Sequence, residues 1–305
     1  MSDQYAVPDG SLTHADVVVV GGGLAGIAAA LALAKAGKAV TLLESKRRLG
    51  GRAGSFSASD ELGREEVVDY CQHVGMGCCH GLRRLISWLG QSELWEEHRQ
   101  LHFFGPSGEY RRLAALPFVP APLHLASWLI KWPGLRFVDR CAVAHGMWRI
   151  RGLKLVDELD EVSALQWLRE NRQTCAAIER FWSTIIVSAL GEQLERVSLA
   201  AVCKVLQDGF LNDREAFHLL VPKLPLDRLF NELALRALRE QNVDVRLSAP
   251  VKSVFKREVG LSIQCGEDYL EADSVICAVP WHQVSRISWQ QSGESAQEMQ
   301  ALGRG

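Results

Sequence analysis

The spacing of apolar residues changes several times along this chain, and each change predicts a different element. Val17–Val20 is a short β-branched run, which predicts a strand buried on both faces. Leu24–Ala36 is rich in Ala and Leu and predicts a helix, with Gly37 as its C-terminal stop. Ala39–Leu43 predicts a second strand, ending at Glu44. Residues 17–44 therefore read as a βαβ unit, whose parallel strands need a right-handed crossover. Val17–Ala34 is also a run of 18 uncharged, mostly apolar residues, a length to be weighed as a membrane span. Three consecutive glycines inside it, and the bracketing Asp16 and Lys35, favour strand, turn and helix instead.

Beyond Gly50-Gly51-Arg52 the pattern dissolves into polar turns as far as Val67-Val68-Asp69. Leu82–Leu89 predicts a helix. Leu101–Phe104 and Tyr110–Leu113 flank Gly105-Pro106-Ser107-Gly108 and predict a hairpin. From about 116 to 220 the chain becomes mainly helical and aromatic, with Trp128, Leu129 and Trp132, then Leu165, Trp167 and Leu168, then Phe181, Trp182, Ile185 and Ile186 at helical spacing. Pro225–Gln241 is a further amphipathic helix, with Pro225 suited to its first turn. Strands return at Val243–Leu247, Val251–Phe255, Leu261–Gln264 and Ser274–Val279. Residues 1–15 read as a flexible tail and 291–305 as a polar tail.

The 305 residues suit about two domains. With 48% hydrophobic and 23% charged residues, the composition excludes a disordered chain, a collagen or a disulfide miniprotein. The net charge of −2, without a polybasic run, offers nothing to steer the chain to nucleic acid or to an anionic membrane. Eight scattered cysteines without a secretory signal predict reduced thiols in a cytoplasmic protein. Cys71, His73, Cys78, Cys79 and His80 cluster, but their spacing matches no zinc pattern and no second ligand pair is near, so no metal is expected. Gln72 and His73 could instead face a cofactor or substrate.

The strongest chemical signal is Gly21-Gly22-Gly23-Leu24-Ala25-Gly26, a G-x-G-x-x-G hexad that follows a predicted strand and opens a predicted helix. Gly21 permits the tight turn, Gly23 lets backbone approach a pyrophosphate, and Gly26 lets helix and strand pack closely. The anion would sit on the N–H groups of Leu24, Ala25 and Gly26 at the positive end of the helix dipole. Glu44, 18 residues after Gly26, stands where a carboxylate accepts ribose hydroxyls. A ligand-free glycine-rich turn is the bland alternative. The hexad alone suits FAD and NAD equally.

The run from Val17 to Gly50-Gly51-Arg52 resembles the flavin amine oxidase and phytoene desaturase superfamily. That resemblance implies FAD, with Gly50 and Gly51 against the nucleotide and Arg52 neutralising phosphate charge. The guanidinium fork suits that task, although a surface cation would look the same in sequence. Val243–Leu247, Val251–Val254 and Ala272–Pro280 resemble the superfamily's return to its nucleotide domain, which would bring the backbone of Val251 to the adenine. The resemblance narrows at Val68–Cys78, Ala121–Leu125, Glu179–Trp182, Val187–Leu190, Asp208–Phe210 and Val279–His282. Their order is similar to the squalene-associated FAD-dependent desaturases, which include the hydroxysqualene dehydroxylases of hopanoid biosynthesis. Tyr70-Cys71 and Gly191 depart from that pattern. The family also runs on to a Gly-Asp flavin motif absent here, so the chain is expected to lack its closing C-terminal segment.

The resemblance implies an α/β fold: a Rossmann-type FAD-binding domain, discontinuous over 16–80 and 222–290, with an inserted, mainly helical substrate domain over 81–221. It implies reductive dehydroxylation of hydroxysqualene to squalene, with an apolar isoprenoid as partner and no nucleic acid. Contact with other squalene-pathway enzymes and peripheral residence at the inner face of a membrane are further expectations. Phe118–Leu135, with Trp128, Lys131 and Trp132, is one candidate for an interfacial helix. A proton donor is needed near the departing oxygen. His73 is the first candidate and Asp69 the second. A carotenoid desaturase, an amine oxidase and a non-catalytic remnant are the alternatives.

Overall fold

The computed structural model describes residues 14–59, 63–70, 74–104, 108 and 110–290. The expected tails over 1–13 and 291–305, the hairpin loop at 105–107 and the candidate residues 71–73 lie outside the described residues. The first half of the chain forms β1 (His14–Val20), α1 (Leu24–Lys35), β2 (Val40–Leu43), β3 (Ser55–Ser59), β4 (Glu65–Asp69), β5 (Gly75–Met76), α2 (His80–Trp88), β6 (Trp95–His98), β7 (Gln100–Phe104), β8 (Tyr110–Ala114), α3 (Ala126–Lys131) and α4 (Phe137–Gly152). There follow α5 (Ala164–Glu170), α6 (175–190), α7 (199–211), β9 (Leu219–Pro222), α8 (226–240), β10 (Asp244–Arg246), β11 (Val251–Lys256), β12 (Leu261–Cys265), β13 (Asp268–Cys277), α9 (Trp281–Val284) and β14 (Ser288–Gln290). Each of α6, α7 and α8 contains a π-helical stretch, at Ile178–Trp182, Gln207–Leu211 and Arg228–Leu233.

The chain forms two compact units, one of residues 1–73, 84–94 and 222–305, the other of 74–83 and 95–221. The first is built on a seven-stranded sheet in the order β10-β2-β1-β13-β12-β11-β14. β10, β2, β1 and β13 are mutually parallel, while β12 pairs antiparallel with β13 and with β11. Val18 and Val19 are fully buried in β1, and Ile27, Ala30 and Leu31 bury one face of α1. This is the expected α/β, Rossmann-type fold with a mainly helical second unit. The apolar run 17–34 resolves into β1, a glycine turn and part of α1.

Four details correct the sequence reading. His14 and Ala15, assigned to the tail, extend β1 because they pair with Glu271 and Ala272. β13 starts at Asp268 rather than 274, since its first half closes a hairpin with β12 before its second half joins β1. β3 and β4 pair antiparallel, and their mostly exposed positions carry no buried alternation to detect. Residues 84–94 belong to the first unit and not to the segment 81–221. Gln91 Nε2 donates to Leu229 O at 2.9 Å and Lys223 N to Leu94 O at 2.9 Å.

The second unit packs around an aromatic core. Trp128 and Trp132 meet edge to face at 4.8 Å, and Trp132 meets Phe181 at 4.9 Å. The Trp132 indole N–H donates to Arg180 O at 2.9 Å. These rings are buried, and α3 is only six residues long, so Phe118–Leu135 is not an interfacial helix presenting its tryptophans outward. No helix among the described residues is long and apolar enough to cross a membrane.

Asp139 joins two helix starts in this unit. Its Oδ2 accepts Arg136 N at 2.9 Å, closing a capping box on α4. Its Oδ1 accepts Thr174 Oγ1 at 2.7 Å, while Thr174 caps α6 by accepting Ala177 N. The Thr174 hydroxyl first, then the Arg136 main chain, hold the Asp139 carboxyl below the usual carboxylate range. A depressed folded-state pKa gives stability that is present above the ordinary carboxylate pKa and lost as pH falls through the lowered value. Asp139→Asn should therefore lower the urea midpoint near neutral pH, with the gap to wild type closing on acidification. Paired denaturation curves across a pH series measure it.

Candidate dinucleotide-binding site

β1 delivers the chain into Gly21-Gly22-Gly23, and α1 begins at once. Gly21 has φ +108°, a conformation that disfavours a side chain, and a Cβ there would also lie 2.9 Å from Ala278 O. A Cβ on Gly26 would stand 1.8 Å from Gly21 O, so the helix can reach the turn only with glycine at this position. Gly23 is different: its φ of −72° suits any residue, and an added Cβ would meet nothing within 4 Å. Gly23 is also the N-cap of α1, without a side-chain cap and without an acidic residue in the first turn. Open space thus lies before an uncapped helix start, which is the arrangement that accepts a phosphate anion.

The buried carboxylate of Glu44 holds this turn from the next strand. Its Oε2 accepts Gly22 N at 2.6 Å, and its Oε1 accepts Lys46 N at 2.8 Å and Ser45 Oγ at 3.1 Å. An ionised carboxylate has about four acceptor sites, so capacity remains for a ribose hydroxyl. Gly50 N donates to Gly22 O at 2.8 Å, which seats the Leu49–Gly51 turn on the hexad. Ser248 N and Ala249 N donate to Lys46 O and Glu44 O, both at 2.8 Å. Val251, at the start of β11, follows two residues after that junction. Ala278 N donates to Val20 O at 2.8 Å. The fold therefore gathers Gly21, Gly23, Leu24, Ala25, Gly26, Glu44, Gly50, Gly51 and the 248–251 segment within the first unit.

Arg52 is exposed on the same turn. Sequence reasoning overlooked its neighbour Arg48. The Arg48 guanidinium donates to Leu49 O at 3.2 Å and Gly51 O at 3.1 Å, faces Asp227 at 3.6 Å and lies 5.4 Å over the Tyr70 ring. Leu49 N donates to Asn231 Oδ1 at 3.0 Å, tying the turn to α8. No local pattern separates Arg48 from Arg47 or Arg52, because its partners lie far along the chain. Asp69 Oδ1 accepts Ser55 Oγ at 2.6 Å and Leu226 N at 2.9 Å, and Ser55 Oγ accepts Asp227 N at 3.0 Å. Asp69 thus anchors the start of α8. His73 lies outside the described residues.

The sequence profile of the family described as "Flavin containing amine oxidoreductase" matches residues 24–304. The chain belongs to this family. The family is described by its flavin, and FAD is the cofactor that the cradle around Gly23 fits. Among curated relatives of this chain is the zeta-carotene desaturase of Solanum lycopersicum, 29% identical over 256 residues, which are 80% of this chain and 40% of that one. The carotenoid phi-ring synthase of Streptomyces griseus is 28% identical over 272 residues, 86% of this chain and 52% of that one. The chain thus spans about half or less of the length of these relatives. A putrescine oxidase double mutant redesigned for cofactor binding shares the fold, with a TM-score of 0.66 and 21% identity over 95% of this chain and 63% of that one.

The two glycines that a Cβ affects differently make a test. Gly26→Ala should destabilise the fold by about 1–3 kcal/mol through overpacking. Gly23→Ala should leave the melting temperature of the FAD-free protein nearly unchanged yet weaken FAD binding by roughly tenfold or more, because its methyl occupies the anion's approach. Flavin absorbance per protein, with thermal denaturation of each variant, reads both.

Proposed function

We propose that this chain serves an FAD-dependent oxidoreductase acting on an apolar polyisoprenoid, and that its reaction is the reductive removal of the hydroxyl of hydroxysqualene to give squalene. The observation that carries the cofactor assignment is the open, uncapped helix start at Gly23, backed by the Glu44 carboxylate. The substrate class is supported by the names of the curated relatives, a carotene desaturase and a carotenoid ring synthase. The hydroxysqualene step rests on the order of motifs between Val68 and His282.

Bound in its reduced form, FAD would supply the hydride for such a dehydroxylation, and one proton from the protein would complete the departing water. The first-turn N–H groups of Leu24, Ala25 and Gly26 would hold the pyrophosphate. Glu44 would accept ribose hydroxyls, Arg52 would pair with phosphate and the Val251 backbone would meet the adenine. Asp69 is engaged in anchoring α8, so we assign proton donation to His73. Substrate and product are both insoluble in water, which suits peripheral residence at a membrane and hand-over between enzymes of squalene chemistry.

Purified protein, loaded with FAD and reduced without oxygen, should convert hydroxysqualene to squalene, read by gas chromatography with mass detection. Desaturation of zeta-carotene by the oxidised protein would move the assignment to the carotenoid enzymes. Peroxide release from an amine would move it to the amine oxidases. Flavin held tightly without turnover of any of the three would leave a nucleotide-binding protein alone. His73→Ala should cut squalene formation with flavin content unchanged.

A further inference from the structure

The outward face of α4 carries an arrangement that the cofactor site does not use. Phe137, Cys141, Ala144 and Trp148 recur at helical spacing and form one exposed stripe. Phe137 is 81% exposed and Trp148 71%. The opposite face, with Asp139, Val143, Gly146 and Ile150, is buried in the second unit's core. The helix is thus apolar on both faces, and its inner face alone has a partner among the described residues. Isolated exposed apolar residues are ordinary, but a continuous stripe that includes Phe and Trp is not.

The exposed charges that α4 and the residues after it carry beside this stripe, as far as Lys154, have one sign. Arg136, Arg149, Arg151 and Lys154 are exposed, with Arg151 and Arg149 flanking the stripe on opposite sides. Asp139 is the one carboxylate between residues 136 and 154, and it is buried under Arg136 and Thr174. The cations end where the acidic turn Asp157–Asp160 begins. An open groove of about 670 Å³, lined by His145, Trp148, Arg149, Arg151, Gly152 and Leu153, borders the stripe. The sequence holds no contiguous polybasic run. The helix instead gathers cations that are interleaved with apolar residues.

We propose that α4 is an in-plane docking surface for a lipid bilayer bearing anionic headgroups. Phe137 and Trp148 would enter the boundary between headgroups and chains, and Arg149 and Arg151 would meet headgroup phosphates in the groove. A second copy of this chain fits poorly, because self-pairing of the stripe would bring the arginines of both copies together. The proposal rests on this surface alone and stands whether or not the substrate is hydroxysqualene.

Co-sedimentation of the full chain with vesicles of phosphatidylcholine, with and without phosphatidylglycerol, tests it. The protein should bind the phosphatidylglycerol vesicles and release as salt rises. Phe137→Ser with Trp148→Ser should weaken that binding by roughly tenfold or more. Arg149→Gln with Arg151→Gln should abolish the preference for phosphatidylglycerol. Flavin content and melting temperature should match wild type in both variants, since the side chains are exposed and remote in sequence from the cradle. Wild-type protein that ignores phosphatidylglycerol vesicles overturns the proposal, as does binding that survives both variants. A wild-type dimer that the Phe137/Trp148 variant turns into a monomer, seen by light scattering, would also overturn it in favour of a second copy.

Discussion

The first unit is organised by the close approach of the first turn of α1 to the end of β1, which only a missing Cβ at Gly26 allows. With the helix seated there, its dipole points into the space in front of Gly23, and the strand end is turned back by Gly21 against Ala278. Glu44 then serves several segments at once. Its carboxylate receives the glycine turn and the chain that follows β2, while its main-chain carbonyl receives Ala249. An anion site needs donors fixed before the ligand arrives, and here they are fixed by backbone contacts rather than by long side chains.

The second unit reaches rigidity by another route. Its core is a set of large rings, and two of its indole N–H groups find acceptors, Trp132 on Arg180 O and Trp182 on Gln173 Oε1. Gly146 lets α4 come within reach of Trp182, where a Cβ would stand 2.9 Å from the ring. Aromatic surface of this kind is core where it is buried, at Trp128, Trp132 and Phe181. Where it is exposed, as at Phe137 and Trp148, it is open to a partner.

The legible parts of this chain were those in which local spacing and tertiary contact agree. The hexad, α1, β2 and the strands after residue 243 are each specified by residues adjacent in sequence. The crossover rule makes the β1–α1–β2 connection right-handed, while the places of β10 and β13 in the sheet are set by contacts more than 200 residues along the chain. The overlooked parts depend on distant partners. β3 and β4 are exposed and lack alternation, and β6 and β9 are four-residue strands that pair across more than 100 residues of chain. Arg48 and Asn231 matter because α8 lies beside the Leu49–Gly51 turn, which no window of sequence contains. Asp69 illustrates the limit most clearly: a carboxylate before a Gln-His pair suggests proton chemistry, while its hydrogen-bond partners in the fold are Ser55 and the start of α8.

The strand order β10-β2-β1-β13 also dictates when this molecule can be completed. β1 and β2 are made before their outer partners: one edge of β1 waits for β13 and the outer edge of β2 waits for β10. Until Cys277 has emerged, the Val17–Val20 edge has no partner and is a template for pairing with another chain. The aromatic core of 95–221 needs no such wait, because its contacts close within a segment made earlier. The nucleotide cradle, with Ala278 as one wall, is therefore complete only after the whole of the 95–221 segment has been made.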